Sequence, residues 1–343
     1  MRIRPPALAL PALAAPALMA FVLALSPAAQ AADLVVYTAR NEQLVKPLFE
    51  RYTAETGVKI EYLTDKEAPL MARLQAEGAR TEADVFMTVD AGNLWQAAQL
   101  GLLRAVDSPV LEANIPPHLQ DPENRWFGLS VRARTLIYNT DKVQPSELST
   151  YEALAEAPWK GRLCLRTSKK VYNQSLVATL IENHGAEGAE AIVAGWVANQ
   201  AAQPFASDDE VIQAVGAGRC DVGIVNTYYF GRLKRDNPAL PVAIFWPNQG
   251  EGQRGVHVNV SGAGITTHAK RPEAAQAFLE WLSAGDAQSK FASVNLEFPA
   301  NPAVEVDPAV ADWGPFRQDL INVSRAGALQ VQATQLMDRV GYR

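Results

Sequence analysis

LVVYTARNEQLVKPLFERYTAETGVKIEYL, residues 34–63, decides the fold class. Leu34-Val35-Val36-Tyr37 is an apolar run of strand length. Leu44, Leu48, Phe49 and Tyr52 then recur at helical spacing, which gives a helix one apolar side. Gly57 stops that helix, since glycine takes the left-handed conformation on which helices end, and residues 58–63 read as the next strand. Strand, helix, strand within thirty residues is a β-α-β unit, and its two strands run parallel.

The alternation continues. Residues 70–77 and 93–100 read as helices around a strand at 83–88, and Gly101 closes the second helix. Residues 126–130 and 135–139 read as two strands, 161–165 as another, and 174–183 as a helix. Ser207-Asp208-Asp209 has the chemistry of a cap before a helix at 210–215, which Gly218 ends. Strands at 221–225, 242–245 and 256–260, helices at 230–235 and 272–282, and a helical tail at 315–340 complete the reading. Repeated β-α-β units predict α/β domains with mixed, largely parallel sheets. Ligands in such sheets gather at the carboxyl ends of strands, which singles out residues 37–42, 88–93, 166–173 and 226–229.

Residues 1–31 stand apart. Met1-Arg2-Ile3-Arg4 is a positive start, an Ala-, Leu- and Pro-rich run follows, and Ala29-Gln30-Ala31 is a small-x-small cleavage site. Prolines 5, 6, 11 and 16 break the run, so an export signal fits better than a membrane anchor. The mature chain is expected to be exported and not membrane-spanning. Its roughly 310 residues suggest two domains. With 48% hydrophobic and 20% charged residues a sizeable core is within reach. A net charge of −6 without any Lys/Arg block argues against a nucleic-acid partner. Cys164 and Cys220 sit at short apolar runs; they can bridge in an oxidising compartment if those runs are neighbouring strands, or else remain buried thiols. Two cysteines and four histidines without paired spacing make a poor zinc site. The sequence holds no nucleophile elbow, H-E-x-x-H helix or dinucleotide fingerprint, which argues against an enzyme.

Tyrosine and arginine carry the chemistry. Tyr228 and Tyr229 follow the strand at 221–225. In a continuing strand they would face opposite ways, but at a strand-to-helix turn both phenols can enter one cleft. Tyr172 sits in a matching place, after the strand at 161–165 and before the helix expected from about 174. A free phenol titrates near pH 10, and a bound cation can deprotonate it outright. Fe3+ is hard and favours anionic oxygen, and three phenolates balance its charge. The alternative is three half-buried tyrosines with bonded hydroxyls. Arg40, past the first strand, and Arg132 and Arg134, between two strands, suit forked binding of a small oxyanion. Surface ion pairing is the alternative, above all for Arg134; strand alternation puts Arg132 and Arg134 on one face.

Four stretches resemble the periplasmic ferric-iron-binding proteins of ABC importers: Val36-Tyr37-Thr38-Ala39-Arg40, residues 83–93, Val171-Tyr172-Asn173-Gln174-Ser175-Leu176 and Asn226-Thr227-Tyr228-Tyr229-Phe230-Gly231-Arg232. The resemblance implies a two-lobed type II periplasmic binding protein fold with a hinge and an interlobe cleft. Lobe one would hold 32–131 with 256–306, and lobe two 132–255 with 307–343. Tyr172, Tyr228 and Tyr229 would be the metal ligands. Arg40 and Arg132, assisted by Asn226, would hold a synergistic anion, carbonate or bicarbonate. Many relatives have histidine where this chain has Asn41, some have tyrosine at Glu42, and some have glutamate at Val89. Those departures point to the subgroup with three tyrosines from one lobe and carbonate completing the sphere. Tyr37, Asn41, Glu42 and Arg134 are additional candidates; Glu42 is either a ligand on closure or a solvated helix-start carboxylate, and Asp90 is read as structural. The implied role is a non-enzymatic, monomeric receptor that passes Fe3+ to an inner-membrane ABC permease. The same fold binding an organic anion or polyamine, or a periplasmic enzyme, are the rival readings.

Overall fold

The computed structural model describes Met1 and residues 33–343. Apart from Met1, the export signal expected at 1–31 lies outside the described residues. The opening β-α-β unit is β1 (Leu34–Thr38), α1 (Glu42–Thr56) and β2 (Ile60–Thr64), with β1 and β2 parallel. Helix α1 buries Val45, Leu48, Phe49 and Tyr52 and ends at Gly57, whose φ of 78° a side chain would resist. Next come α2 (Glu67–Glu77), β3 (Val85–Val89), α3 (Ala91–Gln99), α4 (Pro109–Asn114) and β4 (Phe127–Asn139). The second half holds β5 (Leu163–Cys164), α5 (Val171–Ala198), α6 (Asp208–Gly216), β6 (Val222–Asn226), α7 (Thr227–Asp236), β7 (Val242–Phe245) and β8 (Val258–Ile265). The chain closes with α8 (Pro272–Leu282), α9 (Gly285–Ser293), β9 (Phe298–Pro299), α10 (Pro308–Ala311), α11 (Ser324–Ala328) and α12 (Gln330–Arg339).

Strand order is β2-β1-β3-β8-β4-β6-β5, with β7 and β9 also on β4. The β1–β2, β1–β3 and β5–β6 pairings are parallel, as β-α-β connections require. The long strands β4 and β8 run antiparallel to their neighbours, so the sheet is mixed. β4 is one buried strand of 13 residues where the sequence suggested two. Arg132 and Arg134 read as an interruption, but each guanidinium is buried and ion-paired, Arg132 to Glu297 and Arg134 to Asp208. Hydrogen bonding therefore continues through them.

β4 carries the chain from one hydrophobic core into the next. Its first half, through Ala133, packs in a core with β1, β3, β8 and α8 that also takes in Val310 and Val323. Beyond Leu136 it packs in two cores built by α5, α6, β6 and α12. At the change-over the Arg134 amide donates to the His257 carbonyl, and Val256 exchanges backbone hydrogen bonds with Arg317 and Asp319. Three segments thus pass side by side. That crossing explains why the tail is helical only at α11 and α12: the chain around residue 318 is extended because it pairs with Val256. Helix α5 also starts earlier than expected, at Val171, and runs to Ala198 across a break at Gly185.

Cys164 and Cys220 form a disulfide with Cα atoms 5.8 Å apart, tying β5 to the chain entering β6. It closes a loop with a sequence separation of 56. Replacing both residues by serine is expected to lower the unfolding free energy by about 2–4 kcal/mol in urea titrations; an unchanged midpoint would contradict a stabilising bridge.

His257 is buried at the crossing, where its Nδ1 lies 2.9 Å from Thr179 Oγ1. Burial, reinforced by Arg254 and Arg134, pushes its pKa down to about 3. An unfolded histidine titrates near 6.5. Between these values the unfolded chain binds a proton that the native state refuses. Stability is therefore expected to fall as pH drops from about 6.5 towards about 3, by about 1.4 kcal/mol per pH unit at most. Urea unfolding across this range should show the slope for the parent protein and a shallower one for His257→Asn; parallel slopes would exclude His257 as the cause.

Candidate metal centre

Helix starts position the tyrosines. Tyr172 is in the first turn of α5, and Tyr228 and Tyr229 are in the first turn of α7, directly after β6. Consecutive helical residues diverge by about 100°, not the 180° of a strand, so neighbours can share a side. The Tyr228 and Tyr229 ring centroids are 4.4 Å apart. All three tyrosines line one cavity of about 190 Å3, together with Arg40, Asn41, Val89 and Arg132. Arg132 Nη2 donates to the Tyr172 hydroxyl at 2.9 Å and makes a short hydrogen bond to the Tyr228 hydroxyl. Asn226 Nδ2 donates to the Tyr228 hydroxyl at 3.2 Å. The Arg132 guanidinium also lies over both rings, 4.6 Å from that of Tyr172 and 4.9 Å from that of Tyr228.

The charges decide which phenol ionises. Burial raises the Tyr172 pKa, but Arg132 and Lys170 outweigh it and hold the phenol below its ordinary value. Burial pushes Tyr228 well above the ordinary value despite Arg132, and the neighbouring Tyr172 and Tyr229 push it further. The Tyr172 phenolate is thus easier to form than an ordinary tyrosinate, and a second is harder to form next to it. Burial opposes the charge on Arg132, yet the two tyrosines and Glu297 keep it firmly protonated. A multivalent cation between the oxygens would reverse the balance and make every phenolate favourable.

The arginines divide into two roles. Arg40 is buried, with Nη1 3.2 Å from Glu297 Oε2 and its guanidinium over the Phe291 ring. Its Nε and Nη2, and Nη1 of Arg132, are buried without a hydrogen-bond partner. Such donors beside a cavity fit a small oxyanion. Arg134 is neither an anion site nor a surface ion pair. It is buried, with Nη1 bonded to Asp208 and Asn226 and Nη2 to Asn173 Oδ1 and the Ile224 carbonyl. Its side-chain partners stand at the starts of α5, α6 and α7, so Arg134 braces the helix ends that carry the tyrosines.

Other candidates fall differently. The Tyr37 hydroxyl donates to both Glu77 oxygens at 3.1 Å, and Tyr37 does not line the cavity. Glu42 is exposed in the first turn of α1 and accepts from the Tyr62 hydroxyl at 2.8 Å. Asp90 caps α3 and also accepts from Ser175 Oγ. Sequence reasoning missed Lys170, Arg232 and Glu297, all of which line the cavity. Arg232 lies over the Tyr228 and Tyr229 rings, and its i+3 and i+4 spacing from them was a usable signal. Glu297 had none, since it meets Arg40 from 257 residues away. Among the described residues, no group of three or more His, Cys, Asp or Glu side chains offers a rival metal position.

Known proteins share this framework. The model of the bacterial extracellular solute-binding protein family matches residues 47–318. Iron uptake protein A1 of Synechocystis is 40% identical over 93% of this chain and 91% of its own length. The Trichodesmium protein IdiA (FutA), solved in complex with iron and citrate, superposes with a TM-score of 0.87 at 44% identity, covering 90% of this chain and 99% of that one. The open conformation of Mannheimia haemolytica ferric iron-binding protein A gives 0.85 at 32% identity, covering 91% and 99%. The chain belongs to the bacterial extracellular solute-binding proteins, with the two-lobed α/β fold of type II periplasmic binding proteins.

Proposed function

We propose that this protein is a periplasmic receptor for ferric iron, held by the phenolates of Tyr172, Tyr228 and Tyr229, and that it delivers the metal to an inner-membrane ABC permease. The observation that carries the reading is the convergence of the Tyr172 and Tyr228 hydroxyls on one Arg132 nitrogen, with the Tyr229 ring tilted against that of Tyr228 in the same cavity. The iron-uptake and ferric-binding relatives support the choice of metal. Arg40 and Arg132 hold carbonate or bicarbonate through the donors that lack protein partners, with Asn226 orienting the Tyr228 hydroxyl beside it. The anion supplies the coordination that the phenolates leave open.

Lobe one takes 32–131 with 256–306, and lobe two 132–255 with 307–343. The packing supports the first two crossings and favours a later third one, since Val310 and Val323 sit in the first core. The tyrosines belong to lobe two and Arg40 to lobe one, so a hinge at the crossing segments opens and closes the site. Protonation of the phenolates, loss of the anion or reduction of the iron each removes charge from the cage and frees the metal.

Iron-loaded protein is expected to show a visible phenolate-to-iron charge-transfer band that fades on acidification, as protons compete for phenols of high intrinsic pKa. Tyr229→Phe should weaken iron retention against a competing chelator by about a hundredfold or more and diminish the band. Tight iron binding without colour, or an unaltered band in Tyr229→Phe, would contradict tyrosinate ligation.

A further inference from the structure

Glu297 is the most heavily engaged buried carboxylate near the cavity. Pairing of β9 with β4 places Pro299 opposite Ser130 and Phe298 opposite Val131, which brings Glu297 under the two arginines. Its Oε2 takes Arg40 Nη1 at 3.2 Å, Ser261 Oγ at 3.2 Å and a short bond from Ser130 Oγ. Its Oε1 takes Asn295 Nδ2 at 2.6 Å and lies 3.4 Å from Arg132 Nε. Asn295 Oδ1 in turn accepts from Arg232 Nη1 at 3.1 Å. The cavity-lining arginines Arg40, Arg132 and Arg232 are therefore tied, directly or through one amide, to a single carboxylate with 1% exposure.

Those contacts do two things. They hold Arg132 so that its far end reaches Tyr172 and Tyr228, and they leave Arg40 Nε and Nη2 and Arg132 Nη1 uncommitted. They also subtract one positive charge from the patch that faces the accompanying anion. At the few ångströms separating these groups, one unit of charge in a poorly hydrated site outweighs most differences in anion shape. We propose that Glu297 is a positioning and specificity residue: it aims the Arg40–Arg132 pair and sets its net charge, so that the site selects a singly charged anion such as bicarbonate over a doubly charged one such as hydrogen phosphate to accompany the metal. The inference rests on the ferric-iron reading above.

The test loads purified protein with Fe3+ supplied as a weak chelate, with bicarbonate or phosphate as the only added anion. It reads iron retention by the charge-transfer band and by metal analysis. Glu297→Gln keeps the side-chain shape and removes the charge. It is expected to shift the phosphate-to-bicarbonate preference towards phosphate by about tenfold or more. Removing one member of a buried ion pair can unfold a protein, so the same substitution is also made on an Arg40→Gln background. There Arg40→Gln alone should move the preference towards bicarbonate, and adding Glu297→Gln should move it back by a similar factor. A wild type that retains no iron with either anion overturns the ferric reading and this proposal together. A wild type that retains iron, with Glu297→Gln leaving the preference unmoved in whichever backgrounds fold, overturns the proposal alone.

Discussion

A guanidinium removed from water keeps its proton, and that constraint organises the middle of this molecule. Arg132 is 3% exposed, so its charge has to be met by neighbours. One end faces the Glu297 carboxylate and the other reaches two phenol oxygens. A phenol is a poor anion when alone; Tyr172 is drawn below its ordinary pKa, while Tyr228 is pushed above it. A hard multivalent metal would supply the charge that lets further phenols ionise beside Tyr172.

The fold makes that arrangement possible and movable. β4 is continuous through Arg132 and Arg134, so the two arginines sit where the chain passes from one core to the other. Arg134 braces the helix starts that carry the tyrosines, while Arg132 faces the cavity. Glu297 and Arg40 approach from the side of the first core, and Tyr172, Tyr228 and Tyr229 from the other. Relative movement of the two sides would alter the number of ligands and the charge balance together, which is how a hinged receptor couples capture to release.

Much of this was legible in the chain because it is local. The β-α-β opening, the glycine stop at 57, the cap at Ser207 and the tyrosine-bearing turns each follow from a few consecutive residues. What was misread depends on partners far away in sequence. Arg132 and Arg134 resembled a gap between strands because their carboxylates, Glu297 and Asp208, are 165 and 74 residues distant. The extended chain near residue 318 resembled a helix because its hydrogen-bond partner is Val256. Glu297 carried no periodicity, cap or motif, and only the pairing of β9 with β4 brings it to the arginines.

On the proposed reading, three phenolate oxygens meet at one trivalent iron. Resonance Raman spectroscopy of the iron-loaded protein, excited within its visible band, tests it most directly. Enhanced tyrosinate ring modes that weaken stepwise as Tyr172, Tyr228 and Tyr229 are replaced one at a time by phenylalanine are the expected result. Bound iron with no enhanced tyrosinate modes, or modes indifferent to all three replacements, would contradict the account.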